Sequence, residues 1–223
     1  ACSNGVRVNF EASVGGAIPG IRALQESFVA NRIGLIYGIL NGTTNFILTK
    51  MAEEACPFRD ALAIAQDKGI AERNPELDIS GKDSAHKLAI LAMLAFGRSI
   101  APEDIYTEGI NSISPLDIRY ADKWGYCIKL LAIAKSAPGS LQLRVHPTLI
   151  PSSHLLASVR GADNAIFIKG DLIGDALLYG KGAGSKPTAS SVIGDIVDIA
   201  RDIAFHGPNN SAPYNVLYDR SKK

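Results

Sequence analysis

The 223-residue sequence predicts an α+β fold, a mixed sheet covered by helices. Two features of the pattern carry that expectation. The first half is punctuated by helix starts and stops, whereas from residue 126 onward short apolar or period-two runs alternate with Gly and Pro. Strands and helices also mix without the regular βαβ spacing of a parallel sheet, and no internal repeat is visible.

Taken in order, residues 7–13 read as a short strand entering Gly15-Gly16-Ala17-Ile18-Pro19, where Pro19 suits the first turn of a helix reaching about residue 28. The run 32–40 is apolar enough for a buried strand. Asn41-Gly42-Thr43-Thr44-Asn45 then forms a turn whose threonines can cap a helix over 45–54. Pro57 opens the next helix, with Ala61, Ile64 and Ala65 along it and Gly69 as its stop. Another helix carries Asp83 and ends at Gly97, and short helices are expected at 102–105 and 115–124. Strands follow at 126–135, 142–149, 165–170 and 175–180, with a helical turn at 155–159. The helix expected at 188–204 places Val192, Ile196, Ile199, Ala200 and Ile203 on one face, and residues 206–223 read as a weakly ordered tail.

Composition narrows the class. Apolar content of 47% with 20% charged residues is that of an ordinary soluble globular protein. A net charge of +1 gives no electrostatic case for nucleic acid or an anionic membrane. The longest apolar run, 88–96, is about half of what a membrane span needs. The first residues lack the pattern of a signal peptide, and Cys2, Cys56 and Cys127 have no metal-ligand spacing, so free thiols in a reducing cytoplasm are expected. His86, His146, His154 and His206 are scattered and read as ordinary imidazoles.

The stretch from Ala71 to Lys87 is the richest in chemistry. Glu72, Asp78, Asp83 and Lys87 fall close together between Gly69, Pro75 and Gly81, directly before an apolar helix. Asp83 and Lys87 are four apart and share a helix face that continues through Ile90, Leu91 and Leu94. By spacing alone this is a structural ion pair. Its place at the mouth of a buried helix, beside two more acids in a loop, brings an acid–base pair level with that reading. Two glycine-rich stretches invite ligand readings. Gly180-Lys181-Gly182-Ala183-Gly184-Ser185 is not a dinucleotide fingerprint, and a tight strand-to-helix turn is the simpler reading. Gly15-Gly16 beside Glu11 could turn carbonyls toward a hard cation or form a plain turn. A lysine–carboxylate site without a preceding βαβ unit also looks truncated at its N-terminus.

Four segments resemble homoserine dehydrogenase in order and spacing: Phe10 to Pro19, Gly38 to Leu48, Leu77 to Leu88 and Gly182 to Ala189. The resemblance runs from about Arg7 to Arg201. It implies the catalytic and dimerisation region of an enzyme that interconverts L-aspartate 4-semialdehyde and L-homoserine with NADP or NAD, in threonine, methionine and isoleucine biosynthesis. The family's N-terminal Rossmann half would be absent. Residues 1–181 would form the catalytic and dimerisation domain, 182–206 a helix returning to the nucleotide-binding domain, and 207–223 a tail.

Carried across by position, the resemblance makes Lys87 the proton donor and acceptor, with Asp83 and Glu72 holding substrate and Asp78 nearby. The backbone of Gly42 and Thr43 would line the pocket, and Gly184 would meet the cofactor. Glu11 with the carbonyls of Val14, Gly16 and Ile18 would hold a monovalent cation, sodium in the family. The expected partners are the small-molecule substrate and a second copy, since the apolar strands outnumber the helices that could cover both faces. Where the family usually reads Glu-Ala-Asp-Pro, this chain has Glu72-Arg73-Asn74-Pro75, and Ile70 replaces a common aromatic; both bear on pocket shape. The rival reading is a catalytically silent dimerisation or regulatory module. A semialdehyde dehydrogenase would need a nucleophilic cysteine, and neither Cys56 nor Cys127 has a convincing setting.

Overall fold

The structure is a computed structural model that describes residues 6–206. Its sheet has the strand order β2–β4–β3–β1–β5–β6, with β1 (Ile33–Ile39), β2 (Tyr106–Thr107), β3 (Tyr126–Ala137), β4 (Ser140–Pro151), β5 (Asp163–Gly170) and β6 (Gly174–Lys181). All neighbours are antiparallel except the short β2, which runs parallel to β4, so the sheet is mixed as expected. β2 has no counterpart in the sequence reading; two residues are too few to show a period.

Alternation along the strands sorts the side chains between two faces. Ile36, Leu130, Ala132, Val145, Ile166 and Ile168 face the main core, which α2 (Gly42–Glu54), α3 (Phe58–Asp67) and α5 (Lys82–Phe96) close. A register shift between Ile33 and Leu35 lets Ile33 join that side. The opposite face gathers Ile39, Leu131, Ile133, Ala165 and Phe167 under a single 3₁₀ turn (Leu155–Ser158), with Leu35, Tyr37 and Leu177 only partly covered. Among the described residues no helix is long and apolar enough to cross a membrane.

Several starts and stops fall where the sequence put them. Gly97, at φ 62°, ends α5 and donates to Met93 O. α6 (Pro115–Lys123) opens with a Ser114–Asp117 capping box. Others shift. Asn41, not a threonine, caps α2: its Oδ1 accepts from Thr44 N–H at 2.9 Å, so the helix begins at Gly42. Residues 6–10 pair with no strand, and 11–13 form a 3₁₀ turn (Glu11–Ser13) instead of a strand end. The helix expected after Pro19 is α1 (Gly20–Arg22) widening into a π turn (Ala23–Ser27), closed by Phe28 N–H on Ala23 O at 2.8 Å. α4 (Glu76–Ile79) is one added turn in the acidic loop, and α7 (Ser185–His206) is longer than predicted. The tail expected at 207–223 lies outside the described residues.

Candidate active site

Three elements bring the acidic stretch together. β1 ends at Ile39, directly before Leu40 and the α2 cap, α4 supplies Asp78, and the first turns of α5 supply Asp83 and Lys87. Gly81 adopts φ 83° to admit α5, with room for a Cβ only 3.1 Å from Thr107 and 3.2 Å from Val145. The loop is braced by Ile110 N–H on Ile79 O at 2.9 Å.

Asn41 is the hub of this cluster. Its Nδ2 donates to Asp78 Oδ1 at 2.6 Å and to Asp83 Oδ2 at 2.9 Å, while its Oδ1 caps α2. Lys87 Nζ donates to Asp83 Oδ2 at 2.7 Å and to Leu40 O at 3.0 Å. Two of its three donors are thereby spoken for, leaving one to point elsewhere. The Lys87 and Asp83 side chains are 21% and 22% exposed, so the pair sits at a partly desolvated rim, neither solvated freely nor sealed in the core.

Glu72 stands apart from the cluster. Gln66 Nε2 holds the backbone carbonyls of Glu72 and Arg73 at 3.1 and 3.4 Å, while the Glu72 carboxylate makes no hydrogen bond or ion pair among the described residues. Asn74 accepts from Glu76 N–H through its side-chain Oδ1 at 3.3 Å, an Asx turn at the entry to α4. Thr43 Oγ1 donates to Ile70 O at 3.0 Å, so the hydroxyl is engaged within the chain. The Gly42 and Thr43 amides are among the helix-start donors without an intrahelical partner.

The second group of residues lies around α7. Glu11 is buried, its Oε1 accepting from Ile21 N–H and its Oε2 from Arg22 N–H, each at 2.9 Å, while its own N–H donates to Asp195 Oδ2. Burial pushes the Glu11 carboxyl above its usual range, and the Asp195 charge adds to this against the pull of the two amides and Arg22. Gly16 O accepts from Ser191 Oγ–H at 2.7 Å, and Ile18 O from Gly20 N–H at 2.7 Å. A carbonyl or carboxylate oxygen carries a second lone pair, so one carboxylate and several neutral carbonyls still suit a singly charged hard cation in chemistry. Gly184 takes φ 117° just before α7, in a loop whose Gly182 meets Gly16 backbone to backbone. That bare, partly exposed backbone fits the close approach of a flat cofactor.

The sequence reading missed Asn41 as a site residue, although an Asn directly before Gly-Thr-Thr is a cap signal. It also missed Lys129, 4% exposed on β3, whose Nζ donates to Asn45 Oδ1 at 3.0 Å and to Val159 O. Burial lowers the Lys129 pKa to about 8. A cavity of about 850 Å³ beside it, lined by Met51, Arg119, Cys127 and Arg160, is separate from the Asp83–Lys87 cluster. Cys56 and Cys127 are free, both with thiols pushed up by burial, which is no setting for a nucleophile.

Residues 19–197 match the homoserine dehydrogenase family model. The chain belongs to the homoserine dehydrogenase family. It is 49% identical over 214 residues to a homoserine dehydrogenase of Pseudomonas aeruginosa, covering 96% of this chain and 49% of that protein. Similarity to the Synechocystis enzyme is 51% over 213 residues, covering 94% and 49%. A crystal structure of a homoserine dehydrogenase from Thiobacillus denitrificans superposes with a TM-score of 0.92 at 50% identity, over 96% of this chain and 49% of that one. The chain thus spans about half the length of the curated relatives it matches.

Proposed function

We propose that this chain is the catalytic and dimerisation half of an NAD(P)-dependent homoserine dehydrogenase, interconverting L-homoserine and L-aspartate 4-semialdehyde. The observation that carries it is the Asn41–Asp83–Lys87 arrangement, a lysine held by a carboxylate and a carbonyl with one donor to spare. When aldehyde becomes alcohol, the substrate oxygen takes on negative charge, and the spare N–H of Lys87 stabilises it and delivers the proton. In the other direction Lys87 accepts that proton. Asp83 fixes the ammonium's direction, and Asn41 keeps Asp83 and Asp78 from separating. The Glu72 carboxylate is free to take the substrate's ammonium, and the Gly42 and Thr43 amides its carboxylate. The nicotinamide, which Gly184 and its loop would meet, supplies the hydride.

α7 supports a two-part enzyme. Its polar stripe, Ser191, Asp195 and Asp198, packs on Gly16, Glu11 and Arg7, whereas Ile193, Ile196 and Phe205 are exposed. Such an apolar stripe suits a nucleotide-binding domain seated on residues 182–206. The half-covered face of the sheet around Leu35, Tyr37 and Leu177 likewise suits a second copy, and Glu11 with the carbonyls of Val14, Gly16 and Ile18 suits sodium. Free thiols at Cys56 and Cys127 agree with a reducing cytoplasm.

The test is kinetic. The 223-residue chain alone should not oxidise homoserine, and turnover should appear when it is joined to a family nucleotide-binding domain. In that joined enzyme Lys87→Ala should lower kcat by about 10²–10⁴-fold, the range for a lost general acid. Glu72→Ala should act mainly on the homoserine KM. Near-normal kcat in Lys87→Ala across pH would favour a silent module in which the pair only supports folding.

A further inference from the structure

Asn164 is polar, 1% exposed and placed on the core side of β5, in line with Ile166 and Ile168. Its Oδ1 has no hydrogen-bond partner among the described residues. A buried acceptor left unpaired costs stability, so folding alone does not explain an amide here. What surrounds it does. A Cβ on Gly182 would stand 2.1 Å from Asn164 Cγ and 2.2 and 2.4 Å from its Nδ2 and Oδ1, so the Gly182 backbone packs against the amide with no room for a side chain between them. A Cβ on Gly42 would stand 2.6 Å from Ala162 O and 3.5 Å from Asn164 Oδ1. One amide therefore sits between the loop that leads to Gly184 and the first residue of α2.

Both sides of this junction are tied by hydrogen bonds. Asn45 Nδ2 donates to the carbonyls of Val159, Gly161 and Asp163 at 3.2, 2.9 and 3.2 Å, tying the turn before Asn164 to α2. On the other side Ala17 N–H holds Lys181 O at 3.1 Å. We propose that Asn164 is a positioning residue for hydride transfer, the spacer that fixes the cofactor loop at Gly182 relative to the substrate-binding turn at Gly42. The inference rests on the homoserine dehydrogenase reading and adds to it a residue that touches neither reacting atom. Hydride transfer is steep in distance and angle, so a small displacement of one loop lowers kcat without weakening substrate binding.

The experiment uses the enzyme completed with a nucleotide-binding domain and the variants Asn164→Ala, which empties the space, and Asn164→Leu, which refills it without a planar amide. Both should lower kcat by about 10–100-fold, with homoserine KM within about threefold of the parent. The dissociation constant of the reduced dinucleotide, read from its fluorescence, should rise while the thermal midpoint holds. Wild-type kcat in both variants overturns the proposal, as does a kcat loss that merely tracks a collapsed thermal midpoint. Should both fail to fold, Gly182→Ala, which presses on the amide from its other side, must reproduce the kcat loss, and wild-type kcat there overturns the proposal too. An inactive parent enzyme would instead refute the functional reading itself.

Discussion

Replacing Lys129 by methionine should change how the stability of this chain depends on pH. Lys129 Nζ is held by Asn45 Oδ1 and Val159 O, and no carboxylate pairs with it among the described residues. Its pKa falls from 10.5 to about 8, first because of burial and then through Arg160, with Cys127 and Glu53 acting the other way. Between those values the unfolded chain binds more protons than the folded one, so this group makes stability rise as pH climbs through the window. The drop corresponds to about 3 kcal/mol in full, of which about 1 kcal/mol is regained between about pH 7 and about pH 9. Cys127, half-buried on the same strand face, has its pKa raised and contributes with the opposite sign, so both proteins must keep it, reduced. The assay is urea unfolding of parent and Lys129→Met across that range. The parent's free energy minus the variant's should increase by about 1 kcal/mol from the lower pH to the higher. Parallel curves would mean that Lys129 is not held in a charge-penalising site, and a falling difference would mean that a charged partner stabilises it.

Other outcomes follow from the same contacts. Asn41→Ala removes the α2 cap and the donor shared by Asp78 and Asp83, and should cost about 1–3 kcal/mol in urea unfolding. Asn41→Asp should do worse at neutral pH than at acid pH, because it sets a third carboxylate where two lie within 2.6 and 2.9 Å. Thermal unfolding in sodium should have a higher midpoint than in a bulky organic cation at equal ionic strength, a gap that Glu11→Gln largely abolishes; equal midpoints leave Glu11 as a cap alone. Light scattering at micromolar concentration should report a dimer, and Leu177→Glu on the half-covered face should shift it to monomer; a monomeric parent refutes that use of the face.

How legible the site was depends on which residues tertiary structure commits. Gly69 and Gly97 marked helix ends because a left-handed stop is a local requirement, with φ 67° and 62°. The Asp83–Lys87 pair was legible for the same reason, since four residues of helix bring the two together whatever surrounds them. Asn41 was not. Asn and Thr are near equals as caps, and the tie is broken by Asp78 and Asp83, thirty-seven and forty-two residues away. The strand expected at 7–13 fails similarly, because Asn9 and Glu11 are claimed by Asp198 on α7 and by the amides of Ile21 and Arg22.

α7 carries this reasoning one step further. The sequence puts Val192, Ile196, Ile199, Ala200 and Ile203 on one face of this helix without saying what covers it, and the structure leaves that face largely open. Asp195 is 8% exposed and Ile196 60%. Period alone reports that a helix has two faces and leaves open which one this chain covers. An aspartate enters the buried side because the Glu11 N–H and the Arg22 guanidinium, with Ser191 meeting Gly16 one turn earlier, supply its polar partners. The isoleucines then lie outward, where a helix of a self-sufficient domain would place polar residues. The exposed stripe supports the proposal that a further domain seats on α7. A joined nucleotide-binding domain should therefore protect the amides of α7 from hydrogen exchange well beyond their protection in the chain alone, and equal protection would remove this argument for a two-part enzyme.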